Sequence, residues 1–264
     1  VGDHVAAESH IPCLECFQCR TGDMHICQHV QILGVDCAGG FAEYVAIPEI
    51  CAVKTDPSLP WEIATLQEPF GNSVYTVTEA NVMGKSVAIF GDGPTGVFAT
   101  AVARAFGATK IFCVGMQSYR LDLLRQYHPD RVIDARSHDA ATEILAETKG
   151  LGVDVVLEMS GAATAIHQGF RVVRKGGMFV AFGLPAQAVP VNFADELIFK
   201  GITLKAINGR KMFETWVQVQ NLLLSGRVDL RACVTHTFPM AQIDDAMALL
   251  VKGEARAGKI ILLP

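Results

Sequence analysis

The chain has 264 residues, with 27 acidic against 22 basic side chains and a net charge of −5; with no basic cluster to offset that balance, a nucleic-acid surface is disfavoured. Half of the residues are hydrophobic and mean hydropathy is +0.31, yet no apolar run approaches the length that spans a bilayer, so no membrane partner is expected. What remains is a globular protein large enough for two modest domains, apolar enough to favour a homo-oligomer, and suited to small-molecule chemistry. Its first residue is Val1, and Val1-Gly-Asp-His-Val-Ala reads like the middle of a strand, so a segment is expected to precede it.

The first chemical signal is Cys13-Leu-Glu-Cys16-Phe-Gln-Cys19 followed by Cys27, which holds four of the eight cysteines. Thiolates so spaced can wrap one tetrahedral Zn²⁺ with every position filled, the mark of a structural site. Iron–sulfur ligation is the competing metal reading. A disulfide framework fits less well, because Cys37, Cys51, Cys113 and Cys233 are scattered singly through apolar or turn-like segments and read as small core residues. A reducing, cytoplasmic setting follows.

Beyond this lobe, residues 39–47 alternate like a half-buried strand, and Pro48, Pro57 and Pro60 punctuate the loops behind it. Residues 61–65 look helical and lead into Gln67-Glu-Pro-Phe-Gly-Asn-Ser73. Glu68, set among apolar neighbours just before Pro69, is a salt-bridge partner, a helix cap or a metal ligand.

The stretch Val87-Ala-Ile-Phe-Gly-Asp-Gly-Pro-Thr-Gly-Val97 sets Gly91, Gly93 and Gly96 between a buried-strand run and a helical pattern. This is G-x-G-x-x-G in the strand-turn-helix setting that binds a dinucleotide. Gly91 makes the turn, Gly93 lets backbone approach a pyrophosphate, and Gly96 lets helix and strand pack closely; Pro94 and Thr95 open the helix, whose free N–H groups face the phosphates. A glycine-rich turn with no ligand is the plainer alternative.

Further strands are predicted over 111–114, 131–133, 153–157, 178–182 and 202–206, with helices over 119–127, 140–148, 212–224 and 243–251 and a last strand over 259–263. Alternation of this kind predicts an α/β fold, a doubly wound parallel sheet with ligand at the carboxyl ends of its strands. There the loops carry Gly115, Ser160, Gly183, Leu184, Asn208 and Arg210, with Phe182 at the end of its strand.

Taken together, the four-cysteine lobe, Gly-Phe-Ala-Glu-Tyr44, Glu-Pro-Phe-Gly71, Gly-Asp-Gly-Pro-Thr-Gly96 and Leu-Glu-Met-Ser-Gly-Ala162 resemble the zinc-dependent medium-chain dehydrogenases. Asn208-Gly-Arg-Lys-Met-Phe-Glu-Thr-Trp216 and Gly258-Lys-Ile-Ile261 are most similar to the threonine-oxidising branch. The resemblance implies a Rossmann domain over 71–209. It also implies a truncated, β-rich GroES-like catalytic domain, split between 1–70 with its zinc lobe and 210–264. The chemistry implied is oxidation of a secondary hydroxyl, with L-threonine going to 2-amino-3-ketobutyrate, a nicotinamide taking the hydride and a second zinc acidifying the alcohol. Glu68 would be one ligand of that zinc, its other ligands and the proton relay lying in the preceding segment. The catalytic zinc site is therefore expected to be incomplete and these 264 residues inactive.

His10 matches a cleft-lining histidine of the branch, although a lone histidine is as often structural. Arg210 falls in the family's Gly-Arg turn near the cofactor, or makes a surface ion pair. Ser160, Phe182, Gly183, Leu184 and Asn208 would flank the cofactor, though loop packing explains them nearly as well. At the position of the acid that binds the adenosine ribose in NAD-specific members stands Gly115, which leaves room for a phosphate, and Arg120 five residues on could bind it, so NADP is favoured over NAD. Alternatively Arg120 packs on the adenine. Two other functions stay open, a polyol or simple secondary-alcohol dehydrogenase of the same family and a non-catalytic nucleotide-binding oligomeric module.

Overall fold

The computed structural model describes residues 1–251 and 256–264. Strands β1 (Val5–Ala7) and β2 (His10–Ile11) open the chain, and after the cysteine lobe with its short helix α1 (Phe17–Arg20) come β3 (Gln31–Ile32) and β4 (Ala52–Lys54). β1 pairs antiparallel with β4, and β2 with β3. Helix α2 (Trp61–Ala64) then leads into α3 (Gln67–Ala80), which buries Phe70, Val74, Val77 and Ala80 and ends on left-handed Asn81. Pro69 is tolerated in the first turn of α3, where its missing N–H would have no partner anyway.

From there strand and helix alternate: β5 (Ser86–Phe90), α4 (Pro94–Ala105), β6 (Lys110–Gly115), α5 (Ser118–Arg125), β7 (Arg131–Asp134), α6 (Ala140–Glu147), β8 (Val153–Glu158), α7 (Ala163–Val172), β9 (Val173–Ala181) and β10 (Thr203–Ala206). Their order in the sheet is β10-β9-β8-β5-β6-β7, with every pairing parallel. Successive side chains point to opposite faces. Val87, Ile89, Ile111 and Leu157 therefore pack with Phe70, Phe98 and Val102 on one side, and Ala88, Phe90, Phe112 and Val156 with Ile144 and Phe170 on the other. Burial on both faces is why these strands read as unbroken apolar runs. The crossover direction reverses between β5 and β8, which opens a crevice at their carboxyl ends.

Helix α8 (Glu214–Leu224) packs on α3, and β11 (Val234–Pro239), α9 (Ile243–Val251) and β12 (Lys259–Leu263) close the chain, with β11 and β12 parallel. Cys51, Cys113 and Cys233 are buried as expected of small core residues, whereas Cys37 is only half-buried.

Three expectations need correction. Residues 39–47 form no strand; Phe41 and Tyr44 are exposed, and an alternating pattern becomes a strand only when a neighbour pairs with it and covers its apolar face, which none of the described residues does. Helix α8 begins at Glu214 rather than Met212. β9 starts at Val173, ahead of Gly176 and Gly177, and stops before Phe182.

Candidate functional site

The cysteine lobe brings the sulfurs of Cys13, Cys16, Cys19 and Cys27 within 4.8 Å of one another. Cys16 Sγ lies 3.5 Å from Cys19 Sγ and 3.8 Å from Cys27 Sγ, against the separation of about 3.8 Å that four thiolates on one Zn²⁺ require at Zn–S bonds of about 2.3 Å. Backbone donors converge on the same sulfurs: Cys13 N on Cys27 at 3.3 Å, Cys16 N on Cys13 at 3.4 Å and His29 N on Cys27 at 3.3 Å. Donation from the Cys19 backbone draws the Cys16 thiol down to about 6, while burial, followed by the neighbouring thiols, pushes Cys19 up to about 12. Four converging sulfurs with backbone donors aimed at them suit one cation bound to all four. All eight cysteines are free of disulfides.

The glycine turn lies at the crevice. Gly91 takes a φ of +124°, and a Cβ on Gly96 would stand 1.9 Å from Gly91 O, so neither position admits a side chain. At Gly93, the N-cap of α4, a Cβ would meet nothing within 4 Å. The space above it is open, Pro94 follows at the head of the helix, and Ser73 Oγ donates to Thr95 O at 2.8 Å, tying this end of α4 to α3. A cradle left empty by a glycine and faced by a helix N-terminus suits a pyrophosphate. Across the crevice, the buried Glu158 carboxylate accepts Ser160 N at 2.9 Å and Gly161 N at 3.0 Å, shaping the loop after β8. Gly183 abuts that loop so closely that its Cβ would fall 2.1 Å from Gly161 N. Leu184 beyond it and Asn208 after β10 are exposed, and Phe182 is half-buried.

A cavity of about 220 Å³ at the ends of β5, β6 and β8 gathers Gly91, Gly115, Arg120 and Ser160. Position 115 is not the open, uncharged site expected from the sequence. The Asp92 side chain lies over it, so that a Cβ on Gly115 would come 2.4 Å from Asp92 Cβ, and Asp92 Oδ2 accepts Met116 N at 2.7 Å and Gln117 N at 2.6 Å. The Asp92 carboxyl group thus stands beside Gly115 in the wall of that cavity. Arg120 is already engaged, donating from Nε to Ala257 O at 3.1 Å.

Away from that cavity, His10, Glu68 and Arg210 meet at the junction of β2, α3 and the segment after β10. Arg210 is buried rather than on the surface. Its guanidinium donates from Nε to Glu8 Oε2 at 2.8 Å, from a terminal nitrogen to Glu8 Oε1, and from Nη1 to Asn72 Oδ1 at 3.1 Å; it also pairs with Glu68 Oε1 at 2.8 Å. Gly71 on α3 makes room, since a Cβ there would stand 2.8 Å from Arg210 Cδ. Glu8, fully buried, also accepts Trp216 Nε1 and His10 N, each at 2.8 Å. Burial pushes the Glu8 carboxyl up, but donation from His10, the Arg210 charge and the Trp216 donor outweigh it and hold Glu8 below the usual carboxylate value. The His10 ring stands beside Gly209, with Nδ1 3.2 Å from Ser9 Oγ.

Family comparison matches residues 94–225 to a "Zinc-binding dehydrogenase" model and 1–57 to an "Alcohol dehydrogenase GroES-like domain". L-Threonine 3-dehydrogenase of Caldanaerobacter subterraneus subsp. tengcongensis is 44% identical over all of this chain and 76% of its own length. That of Pyrococcus horikoshii is 40% identical over all of this chain and 75% of its own length. The chain belongs to the zinc-binding alcohol dehydrogenase family. Among solved structures, the alcohol dehydrogenase TADH of Thermus sp. ATN1 superimposes with a TM-score of 0.92 at 27% identity, covering 99% of this chain and 79% of that one.

For this zinc-binding dehydrogenase the metal fits one place and not another. The four sulfurs match zinc in number, spacing and chemistry. Glu8, His10 and Glu68 also bring ligand atoms within 4.8 Å of one another, but the Arg210 cation is already seated among them and Glu8's oxygens are taken up by Arg210, Trp216 and the His10 backbone. These three do not fit a second zinc. Sequence reading missed Glu8 and Asp92. Asp92 had a signal, an acid inside the Gly-x-Gly turn; Glu8 had only its place in Glu-Ser-His10.

Proposed function

We propose that the protein is an NAD(P)-dependent dehydrogenase of secondary alcohols whose substrate is L-threonine, oxidised to 2-amino-3-ketobutyrate. The division into 1–70, 71–209 and 210–264, a cytoplasmic setting suited to eight unpaired cysteines, and a homo-oligomeric state belong to the same reading. The observation that carries it is the open cradle at Gly93 on the head of α4, in a chain whose relatives at 40–44% identity are L-threonine 3-dehydrogenases. In this reading Gly91, Gly93 and Gly96 hold the pyrophosphate, Ser160, Phe182 and Leu184 border the nicotinamide, and hydride passes to it from the carbinol carbon. His10 borders the substrate, and Arg210 acts as a positioning residue that fixes Glu8 and Glu68. The cysteine zinc holds the lobe together and takes no part in the reaction.

In these 264 residues Glu68 is paired with Arg210, and of the two residues whose ligand atoms gather with it, Glu8 is taken up by Arg210, Trp216 and the His10 backbone, which leaves His10 alone to join it. The alcohol proton therefore lacks a zinc-lowered pKa, and turnover should be slow while cofactor binding is retained. Spectrophotometric rates with L-threonine, sorbitol and 2,3-butanediol, each with and without chelator, test this. Threonine leading at a low rate supports the reading, a polyol leading moves the substrate to the polyol branch, and fast turnover indifferent to chelator means the site lies elsewhere.

A further inference from the structure

We propose that Asp92 selects the cofactor, accepting the adenosine-ribose hydroxyls of NAD and excluding the 2′-phosphate of NADP. The inference rests on the dinucleotide reading above and reverses the preference for NADP that Gly115 suggests when read alone.

Dinucleotide folds of this order place an acid at the end of the second strand, where it accepts both ribose hydroxyls and repels a 2′-phosphate. Here the second strand, β6, ends in Gly115, and no side chain of its own stands there. The neighbouring turn supplies one. Asp92 leaves β5 beside β6, the two strands pairing as far as Phe90 with Val114, and its side chain crosses onto the end of β6. Its Cβ occupies the place a Cβ of residue 115 would need, and its Oδ2 would lie 2.6 Å from that same Cβ. The two residues are thus a matched pair, the glycine leaving space that the aspartate uses.

Orientation is set as well. Both N–H groups that bind Oδ2, from Met116 and Gln117, belong to the turn between β6 and α5. They hold Oδ2 at that turn, Oδ1 takes no hydrogen bond among the described residues, and Asp92 lines a cavity together with Gly115, Gln117, Arg120 and Ser160. A carboxylate is charged at neutral pH and accepts only. Hydroxyls at the 2′ and 3′ positions donate to it, whereas a phosphate brings like charge into contact. Arg120 keeps its charge and lines the same cavity, with Nε anchored on Ala257 O in the segment before β12, so selection against a 2′-phosphate falls to the Asp92 carboxylate, which stands directly at the strand end.

Calorimetric titration of the 264-residue chain with NAD and with NADP tests the proposal. NAD should bind at least about tenfold more tightly, the size of effect one adverse charge contact brings. Asp92→Asn keeps a carbonyl acceptor for the two N–H groups but removes the charge, and should narrow the ratio about tenfold. D92G combined with G115D moves the acid back to the strand end and should restore the preference. Adenosine 5′-monophosphate against adenosine 2′,5′-bisphosphate on the unaltered protein repeats the comparison without relying on a variant's fold, and the bisphosphate should bind more weakly. NADP or the bisphosphate binding more tightly, or Asp92→Asn leaving the ratio unchanged in a folded protein, would overturn the assignment while leaving the dinucleotide site in place. Binding of neither cofactor by folded protein would instead remove the dinucleotide reading, and the proposal with it.

Discussion

Glu8 is a fully buried carboxylate whose oxygens take two donors from Arg210, one from Trp216 and one from the backbone of His10. Removing the charge of Glu8 leaves Arg210 with Glu68 as its ionic partner and Asn72 as an acceptor, so the loss, about 1–3 kcal/mol, is smaller than the roughly 3–5 kcal/mol of a fully uncompensated buried charge. Glu8→Gln should lower unfolding stability by that order in urea titration, and a change under about 1 kcal/mol would show that the pair is dispensable. The pH dependence has a defined sign. Since the folded value of Glu8 lies below that of the unfolded chain, its stabilisation is complete above about pH 4.3 and is lost as pH falls through the folded value. Stability of Glu8→Gln should therefore fall less steeply on acidification than that of the unaltered protein. In the cysteine lobe, elemental analysis should find one zinc per chain, and Cys16→Ser should lose it along with the order of residues 13–27. Two tightly held zincs in the unaltered chain would mean that Glu68 holds one despite Arg210.

Along α4, two glycines three positions apart carry different demands. Gly96 packs against the oxygen of Gly91, whereas Gly93 faces open space and has an ordinary backbone conformation, with φ −65°. Gly96→Ala should therefore cost folding stability, by about 2 kcal/mol or more as an overpacked contact. Gly93→Ala should leave thermal unfolding nearly unchanged and weaken NAD binding about tenfold or more, because the added methyl enters the pyrophosphate cradle. Equal effects of the two on unfolding, or undisturbed NAD binding by Gly93→Ala, would move the phosphate site away from this turn. Helix α3 works at the same scale. Its first turn presents Glu68, its second opens at Gly71 to admit Arg210, and Ser73 fixes the head of α4, so one buried helix links the two candidate sites.

At the scale of the whole molecule, much apolar surface remains uncovered. The segment Phe193–Ile198, Phe199 and the edge strand β10 expose Phe193, Ile198, Phe199 and Leu204, while Phe41 and Tyr44 stand exposed in the first lobe. β10 lies at the edge of the sheet, and an edge strand beside exposed apolar side chains is a template for pairing with another chain. We expect the chain to self-associate at micromolar concentration, and Leu204→Lys to shift it toward monomer in light scattering. A stable monomer of the unaltered chain would contradict this. No helix among the described residues is long and apolar enough to cross a membrane.

The alternating sheet was legible in the sequence because its strands are buried on both faces and its helices on one, so the periodicity of apolar residues records the packing directly. The convergence of Cys13, Cys16, Cys19 and Cys27 was legible because their spacing is local, and so was the strand-turn-helix setting of the glycine turn. Tertiary structure decided the rest. Arg210 reads as a turn residue until the fold brings Glu8, some 200 positions away, against it. Residues 39–47 carry a strand pattern but no pairing, since alternation along a segment says nothing of the neighbour it needs. Gly115 looks uncharged until β5 and β6 lie side by side and Asp92 crosses the gap. Where chemistry depends on residues close in sequence, the order of residues determines it; where a charge acts across strands, only their packing says which charge that is.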